Sequence, residues 1–150
     1  MTARFFLDTN VLIYAYDATD PAKQARAKEL LATLAGAGSA AVSTQVLAEM
    51  FHTLTKKFAS LISPDEAVAQ LFHHVQTWQV IDVSAIVLLE AAQAVARHKL
   101  SFGDAQIWAA AKLNTLPVVL SEDFNTGSIL QGVRFLNPFA SGFRVDRLPT

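Results

Sequence analysis

The chain has 150 residues, a net charge of −1 and no cysteine, and 52% of it is apolar. That length is expected to form one domain over residues 1–150, and the missing thiols exclude disulfides and thiolate metal sites. No stretch approaches the ~18 unbroken apolar residues of a membrane span, no cationic leader opens the chain, and no basic excess marks a nucleic-acid binder. The expectation is a cytoplasmic protein that holds any nucleic acid through local patches or a metal.

Phe5-Phe6-Leu7 is an apolar run that stops at Asp8, and helix-spaced apolar residues begin two positions later. A buried strand therefore hands over to a helix, Val11 to Tyr16, with a carboxylate at the junction. In open parallel α/β sheets, ligands bind in the crevice outside the carboxyl ends of the strands. Asp8 stands where such a site would be, and it would serve equally well as a helix cap. Asp20-Pro21 opens a second helix to about Leu34, which Gly36-Ala37-Gly38 stops. Ala40 to Ser43 reads as a short strand. The next helix, Thr44 to about Phe58, carries Val46, Leu47, Met50, Phe51, Leu54 and Phe58 as its apolar stripe, with Glu49 at the margin.

Ser63-Pro64-Asp65-Glu66 starts another helix with a capping box. On it, His73 and His74 are adjacent and cannot share a face; both are read as solvated. Val80 to Val83 is a strand, followed by a helix from Ser84 to His98. Ser101-Phe102-Gly103-Asp104 opens the last helix, which runs to about Leu113. Pro117 to Leu120 is a strand that ends in Ser121-Glu122-Asp123. A turn or short helix through Ile129 leads to a final strand, Val133 to Leu136. Strands alternating with helices imply parallel βαβ units and an α/β/α sandwich.

Asp8, Asp104 and Asp123 each fall at a strand end or helix start, positions that share one rim of a parallel sheet. Glu49 lies one and a half turns into its helix, with a side chain long enough to reach inward. Convergent carboxylates repel unless a hard cation such as Mg²⁺ or Mn²⁺ holds them. Such an ion activates water and stabilises the leaving oxygen of a phosphodiester. Asp8, Glu49, Asp104 and Asp123 are thus the candidate catalytic acids. Asp8, Asp104 and Asp123 are the candidate metal ligands, and Thr9, Asn10, Ser121 and Asn125 are candidates to orient them. Glu122 remains the alternative to Asp123.

Four segments carry a resemblance: Leu7-Asp8-Thr9-Asn10, Ala48-Glu49-Met50-Phe51, Ser101 to Ala111, and Leu120-Ser121-Glu122-Asp123-Phe124. Together they resemble the motifs of PIN-domain ribonucleases. The length and the closing Phe135-Leu136-Asn137-Pro138-Phe139 are similar to the small VapC-type toxins of toxin–antitoxin pairs. The resemblance implies a PIN-like α/β/α sandwich around a central parallel sheet of four to five strands. It also implies Mg²⁺- or Mn²⁺-dependent cleavage of RNA, a cognate antitoxin protein and a homodimer. The apolar excess points to self-association too, expected on the middle helices through Phe58, Leu61, Phe72 and Trp78.

Three other classes compete. A haloacid-dehalogenase-type hydrolase needs a second Asp two residues after the first, where this chain has Asn10. A response-regulator receiver needs paired acids and a late Lys, and Leu120 is followed by Ser121. A non-toxin PIN nuclease of RNA processing, or a PIN-like scaffold that binds without cutting, stays open. Lys56, Lys57, Arg97, His98, Lys99 and Lys112 are read as a solvated face rather than a phosphate track.

Overall fold

The computed structural model describes residues 3–149. The elements in chain order are β1 (Phe5–Leu7), α1 (Thr9–Tyr14), α2 (Pro21–Ala37), β2 (Ala40–Ser43), α3 (Thr44–Lys56) and α4 (Pro64–Thr77). They continue with β3 (Gln79–Ile81), α5 (Ala85–His98), α6 (Phe102–Leu113), β4 (Val118–Leu120), β5 (Ile129–Leu130) and β6 (Val133–Leu136). No helix among the described residues is long and apolar enough to cross a membrane.

The strands form one six-stranded sheet in the order β3-β2-β1-β4-β6-β5. All neighbours are parallel except the β5–β6 pair. The expected four to five parallel strands are present, and β5 is an addition where a turn or short helix was expected. It is too short to show alternation. The hairpin turn that creates it, Gln131-Gly132, has φ of 46° and 83°, the paired positive values of a type I′ turn, without the usual Asn-Gly signal.

β1 is the centre of the sheet. Phe5, Phe6 and Leu7 are all buried, because β2 and β4 cover both edges and helices cover both faces. Burying three large apolar side chains contributes roughly 1.5–3 kcal/mol each. From β1 the chain winds outward through β2 to β3, then crosses back to β4 on the other side of β1. The gap between the carboxyl ends of β1 and β4 is therefore the topological switch point of the sheet.

Capping residues set most helix starts as the sequence implies. Asp20 accepts from Lys23 N ahead of Pro21, and Ser63 and Glu66 form the full capping box. α2 runs through Gly36 and stops at Gly38, whose φ of 62° is the left-handed cap. α6 is faced with alanine: Ala105, Ala109, Ala110 and Ala111 are all buried, which lets α5 and the sheet approach closely.

Two side-chain expectations are corrected. His74 is buried, not solvated: its Nδ1 accepts from Trp78 Nε1 at 2.9 Å and its Nε2 meets Tyr16 Oη at 2.8 Å. Adjacent residues on a helix diverge by about 100°, so His73 and His74 face different surroundings and only one had to be solvated. Phe58 and Trp78 belong to the core and present no surface to a second copy. The large apolar side chains left exposed on and near the middle helices are Leu61 at 72%, Phe72 at 65%, Ile86 at 68% and Leu89 at 67%.

Candidate active site

Asp8 follows β1 directly and has extended backbone angles as the N-cap of α1. Its main-chain N–H donates to Leu120 O at 3.1 Å, and Ser121 N donates to Leu136 O at 3.0 Å. The ladder thus carries on past the strand ends and fixes Asp8 beside Ser121. One carboxylate oxygen of Asp8 accepts from Thr9 N at 2.7 Å, and the other accepts from Ser121 Oγ at 2.7 Å. Asp8 therefore caps the helix with one oxygen and faces the switch point with the other.

Asp123 lies two residues beyond Ser121, and its N–H donates to Ser121 Oγ at 3.0 Å. Asn10 spans the gap: its Nδ2 lies 3.2 Å from Asp123 Oδ2, 3.3 Å from Ser121 Oγ and 3.5 Å from Asp8 Oδ2. Its Oδ1 accepts from Glu122 N at 3.3 Å, which fixes which way the amide points. Asp104 enters from the first turn of α6, where Ser101 Oγ accepts its N–H. Carboxylate oxygens of Asp8, Asp104 and Asp123 lie within 4.8 Å of one another.

These groups line a cavity of about 130 Å³, together with Thr9, Asn10, Gln45, Glu49, Gly103 and Ile107. No Lys, Arg or His is among its lining residues. Burial pushes the Asp8 carboxyl up to about 6, against the hydrogen bonds from Ser121 and Thr9, and the charges of Asp123 and Asp104 add to the rise. Burial also raises Asp104, with the charges of Asp123 and Glu49 adding to it. No positive side chain faces the acids to offset that burial. Three converging hard oxygen donors with no cationic side chain among them match the preference of Mg²⁺ or Mn²⁺, so the residues present fit such an ion.

A family model described as the PIN domain matches residues 5–127. The chain belongs to the PIN domain family. Solved structures of PIN-like fold agree. One is a toxin–antitoxin complex from Klebsiella pneumoniae, with a TM-score of 0.65 and 21% identity over 89% of this chain and 96% of that one. Another is a VapBC complex from Rickettsia felis bound to a promoter DNA fragment, at 0.62 and 16% over 90% and 97%. A third is a sarcin-ricin loop cleaving VapC toxin from Mycobacterium tuberculosis, at 0.60 and 22% over 77% and 86%. At these identities the likeness is one of fold. No curated protein matches the chain closely enough in sequence to count as a relative.

Within this PIN domain the predicted residues divide clearly. Asp8, Asp104 and Asp123 meet. Glu49 joins from α3: Thr9 Oγ1 donates to its Oε2 at 2.9 Å and Gln45 Nε2 to its Oε1 at 3.2 Å. Glu122 points elsewhere, accepting from Tyr14 Oη at 2.7 Å and pairing with Lys23 Nζ at 3.0 Å. Of the adjacent acids, it is Asp123 that reaches the cluster. Thr9, Asn10 and Ser121 each hydrogen-bond an acid. Asn125 does not line this cavity; it lines a neighbouring one, and its carbonyl accepts from Ser128. The fourth expected orienting residue is thus out of place, because the chain turns away after Asp123.

Gln45 was missed by sequence reasoning. Its Nε2 also donates to Gly103 O at 3.2 Å, so it ties Glu49 on α3 to the start of α6. Its position, one turn before Glu49 on the same helix face, is a signal that the sequence offers.

Proposed function

We propose that this PIN domain, spanning residues 1–150, is a divalent-metal-dependent endoribonuclease and the toxin of a toxin–antitoxin pair in the cytoplasm. One observation carries the reading. Three carboxylates from three separate segments converge at the switch point, in a cavity that no cationic side chain lines. Structural ion-pair networks place acids against bases; this cluster does not.

Asp8, Asp104 and Asp123 would hold Mg²⁺ or Mn²⁺, with Glu49 the fourth catalytic acid. When bound, the ion supplies an activated water and offsets charge on the leaving oxygen of an RNA phosphodiester. The chain's own contribution is placement. Ser121 and Thr9 N–H fix the Asp8 carboxylate, Asn10 spaces Asp8 from Asp123, and Thr9 with Gln45 holds Glu49 at the rim. Glu49 is exposed and is the acid free to take a proton from an attacking water.

The toxin assignment draws on the fold shared with toxins of toxin–antitoxin complexes, and it brings a cognate antitoxin as partner. A homodimer follows from the exposed Leu61, Phe72, Ile86 and Leu89. The test is RNA cleavage with Mn²⁺ or Mg²⁺ by wild type, Asp8→Asn and Asp104→Asn, with thermal melts alongside. Cleavage is expected from wild type alone, abolished by EDTA, with all three proteins folded. Full residual cleavage by either variant sinks the metal-site assignment. Metal binding and RNA binding without any cleavage would favour the scaffold alternative.

A further inference from the structure

Beside the acid cavity lies a larger one of about 400 Å³. Asp104 and Asp123 form part of the wall of both. Its other lining residues include His98, Leu100, Phe124, Asn125, Leu130 and Phe135. We propose that this cavity is a nucleobase subsite, which takes the base of a ribonucleotide adjoining the phosphodiester at the acids. The inference rests on the ribonuclease reading and names what that site recognises.

Continuity is the first argument. A nucleotide carries its phosphate and its base on one sugar, so a base site must share a wall with the phosphate site, and this cavity does. Size is the second. The acid cavity, at about 130 Å³, cannot take a base in addition to the phosphate and its ion, whereas the adjoining volume lies within the ~300–1,000 Å³ usual for small-molecule pockets. Chemistry is the third. No Lys or Arg lines the cavity, so it has nothing to hold a second phosphate.

Away from the two shared acids, what it offers is aromatic and amide side chains. Phe124 stacks on Phe135 with centroids 4.1 Å apart and planes at 14°, and remains partly exposed. His98, the last residue of α5, stands edge-on to Trp108 at 6.3 Å and is itself exposed. Unstacked RNA bases settle on aromatic and His faces of this kind. The exposed amide of Asn125 supplies one acceptor and two donors, the means to read a base edge. Residues 124–135 thus gain a role that the acids alone do not give them. The β5–β6 hairpin, through Ile129, Leu130 and Phe135, and the segment after Asp123, through Phe124, Asn125 and Ser128, both line it.

The test uses the full-length protein in Mg²⁺, titrated by NMR with AMP, CMP, GMP and UMP, and with inorganic phosphate as the control. Nucleotides are expected to move the His98 ring and Asn125 side-chain signals, one base more than the others, while phosphate leaves them in place. In the cleavage arm, a random RNA pool is cut and the ends are sequenced. Asn125→Ala is expected to flatten the base preference at one position beside the cut by roughly tenfold, the scale of one lost base-edge pairing. Asn125 is exposed, so the variant keeps its fold. Signals that move equally with phosphate and all four nucleotides, or that do not move, overturn the subsite. Failure of wild type to cut any RNA overturns the ribonuclease reading alone, since the titration needs no cleavage.

Discussion

Replacing Asp8 by Asn should make the metal-free protein more stable. Asp8 is 5% exposed, and burial raises its carboxyl from 3.8 to about 6. At ~1.4 kcal/mol per unit, holding it ionised costs the fold about 3 kcal/mol at neutral pH. The sign follows from linkage: the folded value is the higher one, so the stability present below pH 3.8 is lost as pH rises through about 6. Asn carries no such burden. It keeps an oxygen for Thr9 N but turns its NH₂ toward Ser121 and Asn10. Ser121 Oγ already accepts from Asp123 N–H and Asn10 Nδ2, so its hydroxyl loses the Asp8 acceptor, at about 1 kcal/mol, whereas Asn10 keeps Asp123 Oδ2 at 3.2 Å. The net gain is about 2 kcal/mol, or a Tm rise of roughly 4–8 °C at this chain length. Melts in EDTA at pH 7.5, 5 and 3 would show the gain shrink toward acid and turn into a loss of about 1 kcal/mol at pH 3, where only the lost hydrogen bond remains. A variant no more stable than wild type at pH 7.5 refutes the view that Asp8 is a buried, uncompensated charge.

Four further outcomes follow from the same contacts. Ser121→Ala removes the donor to Asp8 and the acceptor for Asp123 N–H. It should cost about 1–3 kcal/mol in urea unfolding and shift the acid limb of the cleavage profile to higher pH, since that hydrogen bond lowers the Asp8 value. His74 is held neutral, burial pushing it down to about 4, so its stability is present above pH 6.5 and falls by about 3 kcal/mol as pH drops through 4; His74→Gln should lose that acid dependence, and an unchanged pH–stability slope would contradict it. Phe72→Glu with Leu61→Glu should convert the proposed dimer to a folded monomer in sedimentation at micromolar concentration, because both residues are exposed on the single chain, and should remove any concentration dependence of Tm; a variant that sediments as wild type does contradicts this surface. An antitoxin should place an Arg or Lys against Asp8, Glu49, Asp104 or Asp123, because the cavity lining lacks a cation; changing that residue to Ala should release cleavage, and undiminished inhibition would mean that the antitoxin acts at a distance.

The elements were legible where local chemistry decides them. Asp20-Pro21, Ser63 with Glu66, and the unbroken apolar runs at Phe5–Leu7 and Val118–Leu120 state their own structure. Convergence of Asp8, Asp104 and Asp123 was legible because strand ends and helix starts share one rim in any parallel sheet. What stayed hidden depends on which partners each segment meets in the fold. The choice between Glu122 and Asp123 is made by Lys23 and Tyr14, about a hundred positions away. The burial of His74 is made by Tyr16 and Trp78 together. β5 exists only because a two-residue turn folds it onto β6. Asn125 resembled Asn10 in spacing from an acid, but the chain after β4 leaves the rim where the chain after β1 enters a helix.

Capping and the proposed metal binding are not rival roles for Asp8, and strand order explains why. A carboxylate has two oxygens. The one facing along the chain meets Thr9 N at 2.7 Å and satisfies an orphan donor of α1. The other faces sideways, and what it meets depends on the strand that lies next to β1. Because the chain crosses back to put β4 there, that neighbour is Ser121, with Asp123 two residues on. Had β1 been an edge strand, the second oxygen would face water and Asp8 would be an ordinary cap with an ordinary pKa. The crossover therefore creates the raised carboxyl, the meeting of Asp8 with Asp123, and the crevice in which Asp104 completes the set. Of a typical ~5–15 kcal/mol of net stability, the roughly 3 kcal/mol held in Asp8 is a large share to leave unrelieved. A divalent cation held there, as proposed, would relieve it.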